Sequence, residues 1–145
     1  MDDMDWKYVS EDGGVTLHDC VITKLRHENG TLLIFEDGFD VFSDDPQNDT
    51  GRHKRTGKAA VFLKNGQFLR GRLCISENEE KPLREDELAA LGLEVLDCKR
   101  YPDSVFLACD AWHTADGCCY CEIEFTCTAV LYCWNEFTDD AWFQD

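Results

Sequence analysis

The chain has 145 residues, a length that fits one domain able to bury a hydrophobic core without disulfides or metals. Hydrophobic residues make up 43% and aromatic residues 12% of the sequence, so we expect a globular fold rather than a disordered acidic chain. The 30 acidic and 14 basic residues give a net charge of −16. That charge argues against direct binding of nucleic acids or anionic membranes. It is consistent with two interpretations, a partner with a basic surface or a charge that only keeps a small domain soluble.

The first residues of the sequence and its cysteines indicate the cellular compartment of the protein. Residues 1–6 lack the basic and apolar regions of an export signal, and no later segment is apolar enough to span a bilayer. The nine cysteines do not show the repeated spacings of a secreted disulfide scaffold. We therefore expect a cytoplasmic protein with reduced thiols and no membrane association.

Two Asn-Gly dipeptides predict β-hairpins in the first half of the chain. Each lies between segments rich in β-branched and aromatic residues: Asn29-Gly30 between 15–27 and 31–35, and Asn65-Gly66 between 59–63 and 68–75. Asn-Gly tolerates the positive φ angles of the type I′ turn, whose twist matches that of paired strands. Each dipeptide therefore predicts a two-stranded hairpin.

A loop and a helix are predicted in the middle of the chain. Residues 43–58 are rich in Asp, Asn, Gly and Pro and lack an apolar pattern, so we predict a mobile surface loop. This segment also carries a basic cluster, Arg52 to Lys58. Residues 83–91 place Leu83, Leu88 and Leu91 on one face before Gly92, which predicts a short helix.

The C-terminal half returns to strand patterns. We predict strands over 93–100, 105–113 and 119–134, with Asp116-Gly117 as the turn between the last two. The segment 119–134 is apolar enough to be a central strand. The whole sequence therefore predicts a single α+β, mostly β domain over 1–145, with a mainly antiparallel sheet of six to eight strands and one short helix.

The cysteine-rich stretch around Cys118, Cys119 and Cys121 has two interpretations. Close-spaced thiols can bind zinc or take part in redox chemistry. However, every second residue from Cys119 to Cys133 is apolar, which is typical of a buried strand face on which cysteine acts as a small hydrophobic residue. We favour packing and predict no metal ligand and no cofactor, and a cytosolic zinc-binding or thiol redox domain remains the alternative.

The sequence gives little support for an enzyme. His18 with Cys20, and His113 with Cys118 or Cys119, are candidate Cys-His pairs, but neither has the context of a known cysteine enzyme. No phosphate-binding loop, nucleophile elbow or dinucleotide motif occurs. We predict a protein without catalytic residues, and an uncharacterised enzyme is a further alternative.

The residues that alternate with the apolar face of 119–134 form a candidate protein-binding surface. Aromatic side chains can anchor a partner, and carboxylates can steer a basic one. A covering helix or tail within the monomer is the competing interpretation. The candidate surface consists of Tyr120, Glu122, Glu124, Tyr132 and Trp134, extended by Glu136, Asp139, Asp140 and Trp142.

One stretch of the sequence resembles a known group of proteins. The run His18–Ile22 followed by Asn29–Phe39 is similar to the opening hairpin of small β-rich bacterial immunity proteins of polymorphic toxin systems. That resemblance implies a non-enzymatic inhibitor that binds and neutralises a toxin domain. A basic toxin, such as a nuclease, would suit the negative charge of this chain.

Overall fold

The structure is a computed structural model that describes residues 6–11, 13–27 and 29–144. Within these residues, fifteen strands form three antiparallel sheets, and one short helix is present. The predicted mostly β fold is therefore confirmed. The expectation of one sheet with six to eight strands is wrong, because the strands divide among sheets of five, six and four strands.

The five-stranded sheet contains the first predicted hairpin. Its strands are β1 Tyr8–Glu11, β4 Lys24–His27, β5 Gly30–Phe35, β8 Ala59–Lys64 and β14 Ala129–Trp134. They are arranged in the order β1-β14-β8-β5-β4. Asn29 takes a positive φ of 63° between β4 and β5, which pair with each other. The predicted hairpin is confirmed, but its first strand is shorter than 15–27, because Asp19 also takes a positive φ and interrupts the extended chain.

The six-stranded sheet holds most of the C-terminal half. Its strands are β3 Val21–Ile22, β9 Gln67–Ser76, β10 Glu79–Pro82, β11 Leu93–Tyr101, β12 Ser104–Thr114 and β13 Gly117–Thr126. They are arranged in the order β10-β9-β13-β12-β11-β3. The predicted turn at Asp116-Gly117 is confirmed, because β12 pairs with β13 and Gly117 has a φ of 87°.

The third sheet is built from short strands. These are β2 Val15–Thr16, β6 Asp40–Val41, β7 Lys54–Thr56 and β15 Phe137–Asp140, in the order β15-β7-β6-β2. Strand β7 lies inside the segment 43–58 that was predicted to be a loop. Residues 43–53 connect β6 to β7 without a strand or helix, and we call them the connecting loop.

The second Asn-Gly dipeptide marks a bend between sheets, so the hairpin predicted there is wrong. Strand β8 pairs with β14, whereas β9 pairs with β13. Segments 59–76 and 117–134 therefore run side by side through two sheets as one bent ribbon. At the bend, the backbone N–H of Thr128 donates to the Lys64 carbonyl over 2.9 Å. Asn65, with a φ of 55°, donates from Nδ2 to Thr128 Oγ1 over 3.1 Å.

The same bend divides the segment that was predicted as one strand over 119–134. Strand β13 ends at Thr126 and β14 begins at Ala129 in another sheet. Both strands have neighbours on either side, so the expectation of a central position is confirmed for each part.

One cluster of buried side chains is shared by all three sheets. It includes Val61 from the five-stranded sheet, Ile123 from the six-stranded sheet and Val41 from the four-stranded sheet. Phe39 lies at an aromatic centre of this cluster, with its ring 5.9 Å from that of Trp134. A second, smaller cluster on the opposite side of the five-stranded sheet contains Leu32, Ile34, Ala60 and Phe62.

The predicted helix is present but short. Helix α1 spans Glu85–Leu88, inside the predicted range of 83–91. Its first turn carries acidic residues, which favour a helix N-terminus, and Glu87 accepts the backbone N–H of Arg84 over 2.8 Å. Leu88 is buried, and Gly92 takes a positive φ of 64° where the chain turns into β11.

Candidate functional site

The six-stranded sheet has one side in the core and one side toward solvent. Along β13, Cys119, Cys121 and Ile123 are buried in the core cluster, and the alternating residues point the other way. We call this second side the outer face. It displays Arg70 and Arg72 of β9, Cys118, Tyr120, Glu122 and Glu124 of β13, Phe106, Asp110 and Trp112 of β12, and Glu94, Asp97, Lys99 and Tyr101 of β11.

Two predicted acidic residues on the outer face are paired with arginines of the same sheet. Glu122 lies opposite Arg72, and Glu124 lies opposite Arg70. The contacts are 2.6 Å from Arg72 Nε to Glu122 Oε1 and 2.9 Å from Arg70 Nε to Glu124 Oε1. Side chains directly opposite on antiparallel strands are close enough for such pairs. The structure thus neutralises much of the charge predicted for this strand.

Tyr120 and Glu80 also bind to the Arg72–Glu122 pair, one on each side of it. Tyr120 Oη donates to Glu122 Oε2 over 2.9 Å, and Arg72 Nη1 contacts Glu80 Oε2 at 2.6 Å. Partial desolvation and the hydrogen bond to Glu122 raise the pKa of Tyr120 to about 12. Burial opposes ionisation of Glu122, but hydrogen bonds from Arg72 and Tyr120 outweigh it and hold the pKa of this carboxyl below its ordinary value.

The other end of the outer face is acidic and aromatic. Asp110 lies opposite Tyr120, and Trp112 Nε1 donates to Glu94 Oε1 over 3.1 Å. Trp112 is 48% exposed and Tyr120 is 37% exposed. Within the described ranges, Glu94, Asp97 and Asp110 form no ion pair with a basic side chain. We call Glu94, Asp97, Asp110, Trp112 and Tyr120 the acidic-aromatic patch.

Partial desolvation and the nearby carboxylate of Asp110 raise the pKa of the exposed Cys118 thiol, with further contributions from Cys119 and Glu94. The contributions of Asp110 and Glu94 to this shift show that both carboxylates act on the Cys118 thiol. The patch members on β11 and β12 were not among the sequence-predicted site residues. Their outward positions follow from the pairing of β12 with β13 through the Asp116-Gly117 turn. Because the sequence predicts that turn, these residues could have been placed on the same face as Tyr120.

Two of the predicted surface residues belong to the core. Trp134 is completely buried and stacks on Tyr8 with 5.7 Å between ring centroids, and Tyr132 is half-buried against the core cluster. The bend at 127–128 reverses which alternating residues face the core, so Val130 and Trp134 point inward in β14. The expectation that Tyr132 and Trp134 face solvent together with Tyr120 is therefore wrong.

The remaining predicted residues lie elsewhere on the molecule. Glu136 precedes β15, Asp139 and Asp140 lie on β15, and all three are exposed. Trp142 follows the strand and is 73% exposed. Because β15 belongs to the four-stranded sheet, these residues do not continue the outer face.

Basic side chains of the cluster form ion pairs with carboxylates of β15 and β6. Arg52 Nε and Lys54 Nζ each lie 3.0 Å from a carboxylate oxygen of Asp140. The hydrogen bond from Lys54 and the charge of Arg52 hold the pKa of Asp140 below its ordinary value. Arg55 contacts the buried Asp40 carboxylate at 3.2 Å.

Most of the cysteines are buried. Cys119, Cys121, Cys127 and Cys133 are all buried, as the packing interpretation predicts, but Cys133 lies outside the core cluster that contains the other three, so they do not share one face. Cys118 and Cys121 have the spacing of a Cys-x-x-Cys motif, but Cys118 lies on the outer face and Cys121 in the core. Across residues 6–11, 13–27 and 29–144, no group of three His, Cys, Asp or Glu side chains is arranged to hold a metal ion.

A buried cross-strand pair, Cys109 and Cys121, illustrates this packing. The two residues are directly opposite on β12 and β13 and have no exposed surface. Their mutual hydrogen bond and burial raise the pKa of Cys109 far above its ordinary value. The Cys109 side chain is therefore present as a neutral thiol at physiological pH.

The candidate Cys-His pair at His18 and Cys20 is not formed. His18 Nδ1 hydrogen-bonds to the Leu96 carbonyl over 2.9 Å. Cys20 Sγ instead lies 3.3 Å from Arg55 Nη1. Burial raises the pKa of the Cys20 thiol despite the opposing charge of Arg55. A buried, protonated thiol is a poor nucleophile.

None of the helices in the described part of the chain has the length and apolar character needed to cross a bilayer. Comparison of the chain with known protein families, curated proteins and solved structures found no match.

Proposed function

We propose that this chain is a non-enzymatic protein-binding domain and that its partner presents a basic surface to the acidic-aromatic patch. The supporting observation is that three carboxylates without cationic partners among the described residues lie beside exposed Trp112 and Tyr120 on one sheet face. Buried aromatic anchors supply much of the energy of protein interfaces, and charge complementarity supplies steering and selectivity.

The charges on the outer face are unevenly distributed. Arg70 and Arg72 on the β9 side are already paired with glutamates, whereas Glu94, Asp97 and Asp110 on the β11 and β12 side outnumber the one lysine there, Lys99. The excess of negative charge therefore lies on the β11 and β12 side and favours a basic partner there. The net charge of −16 adds long-range attraction for such a partner.

An immunity protein is the specific form of this proposal. In that role the domain would bind a basic toxin domain, such as a nuclease, whose cationic groups normally contact nucleic-acid phosphates. Carboxylates that occupy those groups would compete with the nucleic acid for them. The resemblance of the first hairpin to immunity proteins supports this form, and the zinc, redox and enzyme alternatives have no comparable observation in their favour.

A comparative capture experiment tests the proposal. Wild-type protein and the Glu94→Gln/Asp110→Asn variant would be used to capture basic proteins from a lysate of the source cells, and the dissociation constant of any captured protein would then be measured after purification. The control, Glu77→Gln/Asp103→Asn, removes the same charge from exposed positions in two turns.

We expect the patch variant to weaken binding by about tenfold or more, because it removes charges at the contact. The control should stay within about twofold of wild type, since it changes only the net charge. Equal weakening by both variants, or the absence of any basic partner, would contradict the proposal.

A further inference from the structure

Trp112 is the more exposed of the two aromatic side chains in the acidic-aromatic patch, and one edge of its ring is held in place. Indole Nε1 donates to Glu94 Oε1 on the neighbouring strand β11 over 3.1 Å. This hydrogen bond ties the ring to the sheet through its polar edge. Because the side chain is 48% exposed, much of the apolar ring surface remains open to solvent.

Two carboxylates of the patch face each other across the sheet. Glu94 on β11 lies directly opposite Asp110 on β12. Side chains at such positions have Cβ atoms about 5 Å apart, and like charges there repel each other. Across the residues that the structure describes, neither carboxylate forms an ion pair with a basic side chain. A cation that contacts both of them would relieve this repulsion.

The charges of the two carboxylates overlap beside the ring, at the exposed thiol of Cys118. Desolvation raises the pKa of this thiol, and the charges of Asp110 and Glu94 raise it further. Tyr120, directly opposite Asp110, adds a second exposed ring. Negative charge and aromatic surface are therefore combined within a small area of the outer face.

We propose that this part of the patch recognises arginine, with a guanidinium of the partner stacked on Trp112 and bound by the carboxylates of Glu94 and Asp110. This recognition rests on the proposed function, since it names the side chain through which the basic partner binds. A guanidinium is planar, weakly hydrated and carries five N–H donors, so it can stack on an indole while its edge binds carboxylates. A lysine ammonium is a compact, strongly hydrated charge without a flat face. The carboxylates attract both cations, and the ring favours arginine.

The hydrogen bond between Trp112 and Glu94 is compatible with this binding mode. It occupies one acceptor position of the Glu94 carboxylate. An ionised carboxylate has about four such positions, so capacity for a guanidinium remains. The ring and the carboxylate are also positioned relative to each other before the partner arrives, which lowers the entropic cost of binding.

Two short peptides that differ only in the cation test arginine recognition. Each is a pentapeptide with blocked ends, with either arginine or lysine at the second and fourth positions and glycine elsewhere. Binding to the protein is followed by NMR at low ionic strength, through the Trp112 indole N–H and the backbone amides of Asp110 and Tyr120. We expect the arginine peptide to shift these signals and to bind about fivefold more tightly than the lysine peptide, because only the guanidinium gains the contact with the ring.

Three variants locate the preference on the molecule. Trp112→Leu removes the ring and should reduce the difference between the two peptides to less than about twofold. Trp142→Leu is the matched control, because it removes an exposed tryptophan outside the patch and should leave the difference unchanged. Glu94→Gln/Asp110→Asn removes the charges and should weaken the binding of both peptides by about tenfold.

Failure of arginine recognition can be told apart from failure of the proposed function. Equal binding of the two peptides to wild-type protein overturns arginine recognition, and so does a preference for arginine that survives in Trp112→Leu. If the Glu94→Gln/Asp110→Asn variant weakens both peptides in that case, the patch remains a surface for a basic partner. If this variant and the wild type bind the peptides alike, or if the patch signals do not shift, both proposals are contradicted.

Discussion

At the scale of single residues, two tryptophans that lie close in sequence have opposite environments. Trp134 is completely buried between Tyr8 and Phe39, whereas Trp142 is 73% exposed. We expect Trp134→Ala to lower the free energy of unfolding by about 3–5 kcal/mol, because it leaves a cavity in the core. Trp142→Ala should change it by less than about 0.5 kcal/mol. Urea denaturation measures both, and equal effects would contradict the placement of Trp134.

The thiols offer a second test at this scale. Cys118 is the single exposed cysteine, while burial raises the pKa of Cys98 to about 11 and that of Cys133 to about 12. The pKa of Cys118 is raised as well, so it is exposure to the reagent that distinguishes this thiol from the buried ones. Iodoacetamide should therefore modify the native protein first at Cys118, as read by peptide mass spectrometry, and Cys118→Ser should remove that first product. Early modification of Cys109 or Cys121 would be inconsistent with their burial.

At the scale of elements, the connecting loop is held by specific acidic and amide side chains rather than by apolar packing alone. Asp45 is buried and accepts three hydrogen bonds, from Ser10 Oγ and from the backbone N–H groups of Gly14 and Gln47. We expect Asp45→Ala to destabilise the protein by about 2–4 kcal/mol, because these donors lose their acceptor. The exposed neighbour provides the control, since Asp44→Ala should cost less than about 0.5 kcal/mol in the same thermal or urea denaturation. Similar losses from both substitutions would show that Asp45 does not hold the loop.

The elements also show which features the sequence could predict. The hairpins at Asn29-Gly30 and Asp116-Gly117 depend on local backbone preferences, and both are present. Asn65-Gly66 has the same preference, but the strand after it pairs with β13 instead of β8. A dipeptide specifies φ angles and not the partner of the following strand, which is decided by packing over long distances in sequence.

The candidate site likewise shows that local sequence patterns predict some placements and miss those that depend on distant pairing. Alternation placed Tyr120, Glu122 and Glu124 correctly on one face of β13, because the period of two persists within a straight strand. It failed for Tyr132 and Trp134, because the bend at 127–128 shifts the alternation relative to the core. The arginine partners of Glu122 and Glu124 could not be foreseen, since the pairing of β9 with β13 joins distant parts of the sequence.

At the scale of the whole molecule, the net charge of −16 should weaken the folded state at low ionic strength. Repulsion between exposed carboxylates is screened by salt, because the Debye length falls from about 30 Å at 0.01 M to about 3 Å at 1 M. We expect the melting temperature to rise between 0.01 and about 0.5 M NaCl at pH 7.5, as measured by circular dichroism. At an acidic pH where the net charge approaches zero, the rise should be much smaller. A melting temperature that falls with salt at pH 7.5 would mean that the surface ion pairs outweigh the net repulsion.

The bent ribbon has a consequence for the order in which the protein can fold during synthesis. In this ribbon β8 pairs with β14, with Ala59 opposite Trp134. Strand β1 also pairs with β14, with Tyr8 opposite Trp134. Neither β1 nor the bend can find its partner until β14 has left the ribosome. Closing such long loops is slow compared with forming a local turn, so folding should be limited by chain closure. Strands β1 and β8 must therefore remain soluble until β14 has been synthesised, and during this period the excess of negative charge keeps nascent chains apart.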